Sequence, residues 1–326
     1  MELGNIINLF KEAVEEGNES RIKEHFYFSE GAKCDREIYY HLIHGRSEEK
    51  NSFESTMRMK MGKLIELGLS DYWKKTGLLH LEQHRIEIPI IDTEDHYFAL
   101  NGYTDFILKD DEGYKIVNET KTFYGPYAKK DYANGKAKEA HIIQLGLYIY
   151  FLIERELLTR VRPWGFIHYI SRDDMSNYFV KVEVDMRLEE IHCGEETFSV
   201  PDILESFEEV ANNVIDGEIP KPQFHYKYSP ERARAIIKKE GWSKQKITSK
   251  MRTDFMEPQL GIDGEPLRNG RNYVYVPKSD AVTFGDWQCK YCAFKSRCLS
   301  DRGIEQGYDQ EELLEIINTF EELRKC

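Results

Sequence analysis

The sequence lacks an apolar run long enough to cross a membrane; stretches such as 145–153 reach roughly nine residues, about half of a bilayer span. Its opening residues, Met1-Glu2-Leu3-Gly4-Asn5, lack the basic flank and apolar stretch of a secretory signal, so a cytoplasmic protein is expected. Basic charge is not in excess either. The 45 Lys and Arg against 58 Asp and Glu give a net charge of −13, which argues against indiscriminate adhesion to nucleic acid or anionic lipid but leaves room for a local basic groove. Cysteine is sparse, with six residues at 34, 193, 289, 292, 298 and 326. In a reducing compartment they do not read as a disulfide framework, and metal ligation is the leading reading for the clustered ones. There is no internal repeat and no low-complexity run.

Core-forming residues are plentiful: 40% of the chain is hydrophobic and 13% aromatic, as in a folded globular protein. At 326 residues the chain exceeds the usual size of one core, so one large domain with insertions or two closely joined lobes is expected. Helical spacing is read in 1–28 (Ile6, Ile7, Phe10, Val14), in 35–44 and in 52–75 (Met57, Met61, Leu64, Ile65, Leu69). The period then shortens. Segments 81–91, 97–108 and 114–122 read as a three-strand meander whose second turn is Asp110-Asp111-Glu112-Gly113. A helix over 139–157, strands over 164–170 and 178–184, and an acidic amphipathic helix over 308–324 complete the pattern. The fold class is therefore α/β, a mixed central sheet flanked by helices. Four regions follow: an N-terminal helical region 1–80 carrying Cys34, a core 81–215, a basic, loop-rich insertion 216–285, and a cysteine cluster with a C-terminal helix over 286–326.

One local pattern carries chemistry. Asp105 lies mid-strand among apolar neighbours, and Glu119 and Lys121 are two residues apart on the next strand, so a period of two puts both on one face. If the two strands pair through the hairpin, Asp105 reaches that face too. Two hard carboxylates can hold Mg²⁺ or Mn²⁺, and an ammonium beside them can assist an attacking water, which suits phosphodiester hydrolysis. Apolar flanks argue against a merely solvated face, because buried carboxylates need a partner or a metal.

Asp105 with Glu119-Thr120-Lys121 resembles the PD-(D/E)XK nucleases, and Gln144 with Tyr148 on the following helix resembles their RecB-type branch. The resemblance implies a restriction-endonuclease-like core in which Asp105 and Glu119 bind metal, Lys121 assists catalysis, and Gln144 and Tyr148 line the site. The family also places a metal-binding His after a Gly-x-x-x frame; here the frame Gly62-Lys63-Leu64-Ile65 ends in Glu66. Glu66 is taken as the further metal ligand, with His80 and His84 as alternatives.

Cys289, Cys292 and Cys298 form Cys-x₂-Cys-x₅-Cys, and Cys34 stands alone far upstream. Three thiolates and a distant fourth suit either tetrahedral zinc or a [4Fe-4S] cluster, and spacing does not choose between them. The arrangement resembles the iron–sulfur staple of a RecB-type subset that includes AddB-type and CRISPR adaptation nucleases. That implies a structural [4Fe-4S] cluster joining the N- and C-terminal helical regions.

Two basic stretches are candidate nucleic-acid surfaces. Lys129, Lys130, Lys136 and Lys138 alternate with Tyr124, Tyr127 and Tyr132, as phosphate contacts alternate with stacking rings in a single-strand channel. Segment 221–252 holds ten Lys/Arg against Glu231 and Glu240, a local +8, among His225, Tyr226, Tyr228 and Trp242. It reads as a DNA clamp or a docking face for an acidic partner. The resemblance implies a metal-dependent deoxyribonuclease, an exonuclease on single-stranded ends in recombination, repair or CRISPR adaptation, host or viral. The alternative is a catalytically silent DNA-end-binding or complex-partner module. The apolar stripe of the C-terminal helix would pack on its own chain, on a protein partner or in a homo-oligomer.

Overall fold

The computed structural model describes residues 25–45, 53–279, 283–304 and 307–325. The helical pattern expected at Ile6–Val14 lies outside them. The chain divides into two units, Met1–Lys221 and Pro222–Cys326.

In the first unit the change of period after Gly77 marks the start of the sheet. Strands β1 (Phe26–Tyr27), β2 (Leu79–Asp92), β3 (Tyr97–Lys109), β4 (Lys115–Phe123), β5 (Trp164–Ser171), β6 (Asn177–Asp185), β7 (Glu190–Cys193) and β8 (Glu196–Ser199) form one sheet. Its order is β1-β3-β4-β5-β6-β7-β8, and β2 runs along the other edge of β3. The meander is present as read: β2, β3 and β4 pair antiparallel. Strands β4 and β5 are parallel, and the crossover that parallel neighbours require is supplied by α3 (Pro126–Ala133) and α4 (Glu139–Glu154). The other described helices of this unit are α1 (Asp35–His44), α2 (Phe53–Thr76) and α5 (Val200–Asp216). This mixed sheet flanked by helices fits the expected core architecture.

Residues 26–30 depart from the expected helix. Phe26 and Tyr27 add a short parallel strand beside Leu100 and Asn101, and Phe28–Glu30 form a single 3-10 turn. Phe26 and Phe28 are fully buried, so tertiary burial overrides the local periodicity.

The position of β1 has a consequence for β3. Its edge facing β1 and β4 pairs with β1 at Leu100 and Asn101 and with β4 only from Phe106 to Lys109. Between those contacts, Gly102–Asp105 diverge from β4. Helix α4 is buried over nearly its whole length, from Ile142 to Ile153 apart from Tyr150, which explains its run of apolar residues. It approaches the sheet closely at Gly146, where a Cβ would stand 2.6 Å from Ile191 Cδ1.

The second unit is built from α6 (Pro230–Glu240), α7 (Lys244–Asp254), α8 (Trp287–Lys290), α9 (Lys295–Asp301) and α10 (Gln310–Lys325), with short strands β9 (Met256–Pro258), β10 (Arg268–Asn269), β11 (Asn272–Tyr273) and β12 (Tyr275–Pro277). The loop-rich reading of its middle corresponds to two small hairpins. The apolar stripe of α10 is consumed within this unit: Leu313, Ile316, Ile317 and Phe320 bury against Ile237, Ile247, Met251 and Phe255. Tyr226 and Tyr228 are buried as well, so they belong to the core and do not offer faces to nucleic acid.

Candidate active site

The divergence of β3 from β4 creates the site. Asp105 and Glu119 would be the next cross-strand pair after Phe106 and Asn118, but there the Asp105 side chain takes over from the main chain: its Oδ2 accepts the Thr120 N–H at 2.7 Å. Strand alternation puts Lys121 on the same face as Glu119, with its Nζ 2.7 Å from Glu119 Oε1. Helix α4 closes the face. Gln144 accepts from Lys121 Nζ at 3.0 Å and donates through Nε2 to Glu119 Oε1 at 2.9 Å and to the Tyr148 hydroxyl at 3.3 Å. Residues four apart share a helix face, which is why Gln144 and Tyr148 arrive together.

The electrostatics are those of a site short of positive charge. Burial and the neighbouring Glu119 push the Asp105 carboxyl well above the usual range, and burial pushes Glu119 up against the opposing pull of Lys121. Burial disfavours the Lys121 ammonium, yet Glu119, Asp105 and Glu66 outweigh it and keep the amine charged. Glu119 Oε1 accepts two hydrogen bonds while its Oε2 is buried with no partner. A bare, buried carboxylate oxygen beside a second, partly buried carboxylate is a donor set that fits a hard divalent cation. Among the described residues, no group of three or more His, Cys, Asp or Glu is gathered into a metal pocket.

Glu66, the third expected ligand, bonds to Lys63 Nζ at 2.9 Å and Gln83 Nε2 at 2.6 Å, and its charge acts on Asp105 and Glu119. His84 sits across from Thr104 in the β2–β3 register, one residue off Asp105, and His80 feels Lys109 and Lys115 at the far hairpin. Glu66 thus lies near enough for its charge to oppose ionisation of the pair, and His80 lies toward the β3–β4 hairpin.

Of the expected basic surface, Lys130, Lys136 and Lys138 are at least partly exposed, and Tyr124 and Tyr127 are fully so. Lys129 is partly exposed and pairs with Asp174 at the surface. One expectation needs correction: Tyr132 is buried, its ring stacked on Tyr169 at 3.6 Å. An apolar pocket beneath α3 competes for Tyr132 more strongly than solvent does.

This geometry agrees with a comparison across protein families: residues 32–299 match the PD-(D/E)XK nuclease superfamily. The chain belongs to that superfamily. No curated protein matches the sequence. A solved structure, that of SSO0001, is similar to 67% of this chain and 89% of its own, with 16% sequence identity and a TM-score of 0.39.

Two residues of this PD-(D/E)XK chain escaped sequence reasoning. His141 lies one turn before Gln144 with its Nδ1 2.9 Å from the Tyr169 hydroxyl; burial, with Lys121 and Lys138, drives its pKa down to about 3, so it is neutral beside the site. Gln83 holds Glu66 from a left-handed backbone, φ 50°, which a side chain other than glycine adopts at a cost. The i−3 spacing from Gln144 was a signal for His141; nothing local marks Gln83.

Proposed function

We propose that the chain is a divalent-metal-dependent deoxyribonuclease, an exonuclease acting on single-stranded ends in DNA recombination, repair or CRISPR adaptation, host or viral. The observation that carries this reading is the pair of buried Glu119 and partly buried Asp105, with one unpartnered carboxylate oxygen beside a charged Lys121. Asp105 and Glu119 would hold Mg²⁺ or Mn²⁺, with Glu66 as a further ligand, and the bound ion would polarise the phosphate and lower the pKa of an attacking water.

The side chains supply the rest. Lys121, held charged, donates N–H to the phosphate oxygens as negative charge develops on them. Gln144 fixes the Lys121 amine and the Glu119 carboxylate in one geometry, and Tyr148, whose hydroxyl burial keeps neutral, braces the Gln144 amide. Lys129, Lys130, Lys136 and Lys138 with Tyr124 and Tyr127 offer phosphate contacts and stacking faces to a single strand.

The same reading includes a structural [4Fe-4S] cluster on Cys34, Cys289, Cys292 and Cys298. It is supported by the thiols of α8, α9 and the turn between them: Cys289, Cys292 and Cys298 are partly buried and fall within one short segment. Cys34 stands at the N-cap of α1. Cluster incorporation gives brown protein with iron and sulfide in equal amounts; a colourless zinc protein would refute it.

The deciding experiment is cleavage of end-labelled single- and double-stranded DNA by anaerobically purified protein, with Mg²⁺ or Mn²⁺ against EDTA, alongside Lys121→Ala. Metal-dependent ladders from single-stranded ends, reduced at least about a hundredfold in the variant, are expected. Wild-type rates in Lys121→Ala would overturn the assignment of the chemistry. DNA binding without cleavage by folded protein would leave an end-binding module.

A further inference from the structure

In the unit Pro222–Cys326 a second constellation stands on its own elements. Helix α6 ends at Glu240, the chain turns through Gly241, Trp242 and Ser243, and α7 begins at Lys244. Gly241 takes the left-handed conformation, φ 60° and ψ 43°, that closes α6, and the Ser243 hydroxyl caps α7 by accepting the Lys246 N–H at 3.2 Å. Two helices joined by a three-residue turn containing glycine have the form of a helix-turn-helix. Helix α10 is the third member, burying Ile316 and Phe320 against Ile237 of α6 and Ile247 and Met251 of α7.

With Ile247 and Met251 turned into that core, α7 presents one opposite face. Lys244, Gln245, Thr248, Ser249, Arg252 and Thr253 recur at i, i+1, i+4, i+5, i+8 and i+9 and, with Arg324, line a shallow groove of about 610 Å³. No carboxylate residue lines this groove. Among the described residues Lys244 and Arg252 form no ion pair, Arg252 lying over the Tyr275 ring at 5.0 Å, whereas Arg324 pairs with Glu321, Lys250 pairs with Asp254, and Lys246 lies 3.9 Å from Glu240 and over the Trp242 ring. In a chain of net charge −13, one helix face keeps its cations, amide and hydroxyls clear of acids.

We infer that α7 is a recognition helix for duplex DNA. Its width suits a major groove; Lys244 and Arg252 take phosphates, and Gln245 and Thr248, in its first half, take base edges, where glutamine can bond adenine through two atoms. This goes beyond the proposed hydrolysis and stands without it, since such binding requires no divalent metal.

The test uses the full chain in EDTA, with a labelled duplex and a single strand of the same sequence read by fluorescence anisotropy over a salt series. Lys244→Ala/Arg252→Ala is compared with Lys109→Ala/Lys115→Ala, which removes the same charge at the β3–β4 hairpin. The groove pair should weaken duplex binding at least about tenfold and lower the salt slope by about 2, at about 0.9 for each phosphate that is no longer neutralised. The hairpin pair should stay within twofold of wild type. Arg252→Gln, which keeps the helix preference and a polar end while removing the charge, should weaken duplex binding in the same direction. Equal losses in both pairs, or an unchanged duplex affinity in the groove pair, would each overturn the inference.

Discussion

The Lys121 ammonium and the Gln144 carboxamide oxygen meet at 3.0 Å, and through that contact helix α4 orients the side chains of strand β4. The same amide donates to Glu119, so one side chain satisfies both charges. Gln144→Leu removes both bonds inside a buried cluster. It is expected to cost about 1–3 kcal/mol of stability and to lower cleavage at least about tenfold, measured by denaturant titration and single-turnover assays. Gln144→Glu should be worse for stability, since it replaces the donor facing Glu119 with a third acid.

Burial and the Glu119 charge both oppose ionisation of Asp105. Asp105→Asn keeps an oxygen for the Thr120 N–H while removing the charge, so it should raise the melting temperature in EDTA and abolish cleavage. The sign of the pH dependence follows from the raised pKa. Above the ordinary carboxylate value the folded state binds more protons than the unfolded chain, so wild-type stability in EDTA falls as pH rises through the folded pKa. Melting curves of Asp105→Asn over the same range should be flatter.

Gly102 lies where β3 leaves β4, and a Cβ there would stand 2.6 Å from the Tyr148 hydroxyl and 2.5 Å from the Phe28 ring. Phe28 and Tyr148 already pack with centroids 4.7 Å apart. Gly102→Ala should therefore destabilise the protein by about 1–3 kcal/mol and shift Tyr148 off Gln144. The readouts are the melting temperature and a fall in cleavage rate at saturating DNA.

Tyr132 and Tyr127 are five residues apart and separate core from surface. Tyr132→Ala should cost about 3–5 kcal/mol, because it opens a cavity against Tyr169. Tyr127 is 86% exposed, and Tyr127→Ala should leave the melting temperature unchanged while weakening single-strand binding. Paired melting and anisotropy measurements separate the two roles.

The site was legible where its chemistry follows local periods. Alternation put Glu119 and Lys121 together, the hairpin at 110–113 brought Asp105 across from them, and the i, i+4 rule aligned Gln144 with Tyr148. The meander and α4 were legible for the same reason. What escaped depends on contacts distant in sequence. Residues 26–27 form a strand because Leu100 and Asn101 offer them an edge, and β7 and β8 are four-residue strands too short to mark a period. Helix α5 does carry local signals that the sequence reading passed over: the Ser199 cap, Pro201 in the first turn and Gly217 at its end. Asp174, on the β5–β6 turn, pairs with Lys129 from forty-five residues away, a contact no local pattern shows. Gln83 takes its left-handed backbone opposite the divergence, a condition no neighbouring residue announces.

From Asp105 to Tyr148 the chain passes through one hairpin, one strand and the crossover helices, so every member of the Gln144 network comes from a single continuous segment. Insertions before β3 or after α4 lengthen the protein without altering the spacing within that segment. The core can thus carry added segments at either end, such as the unit that begins at Pro222, while the site keeps its dimensions.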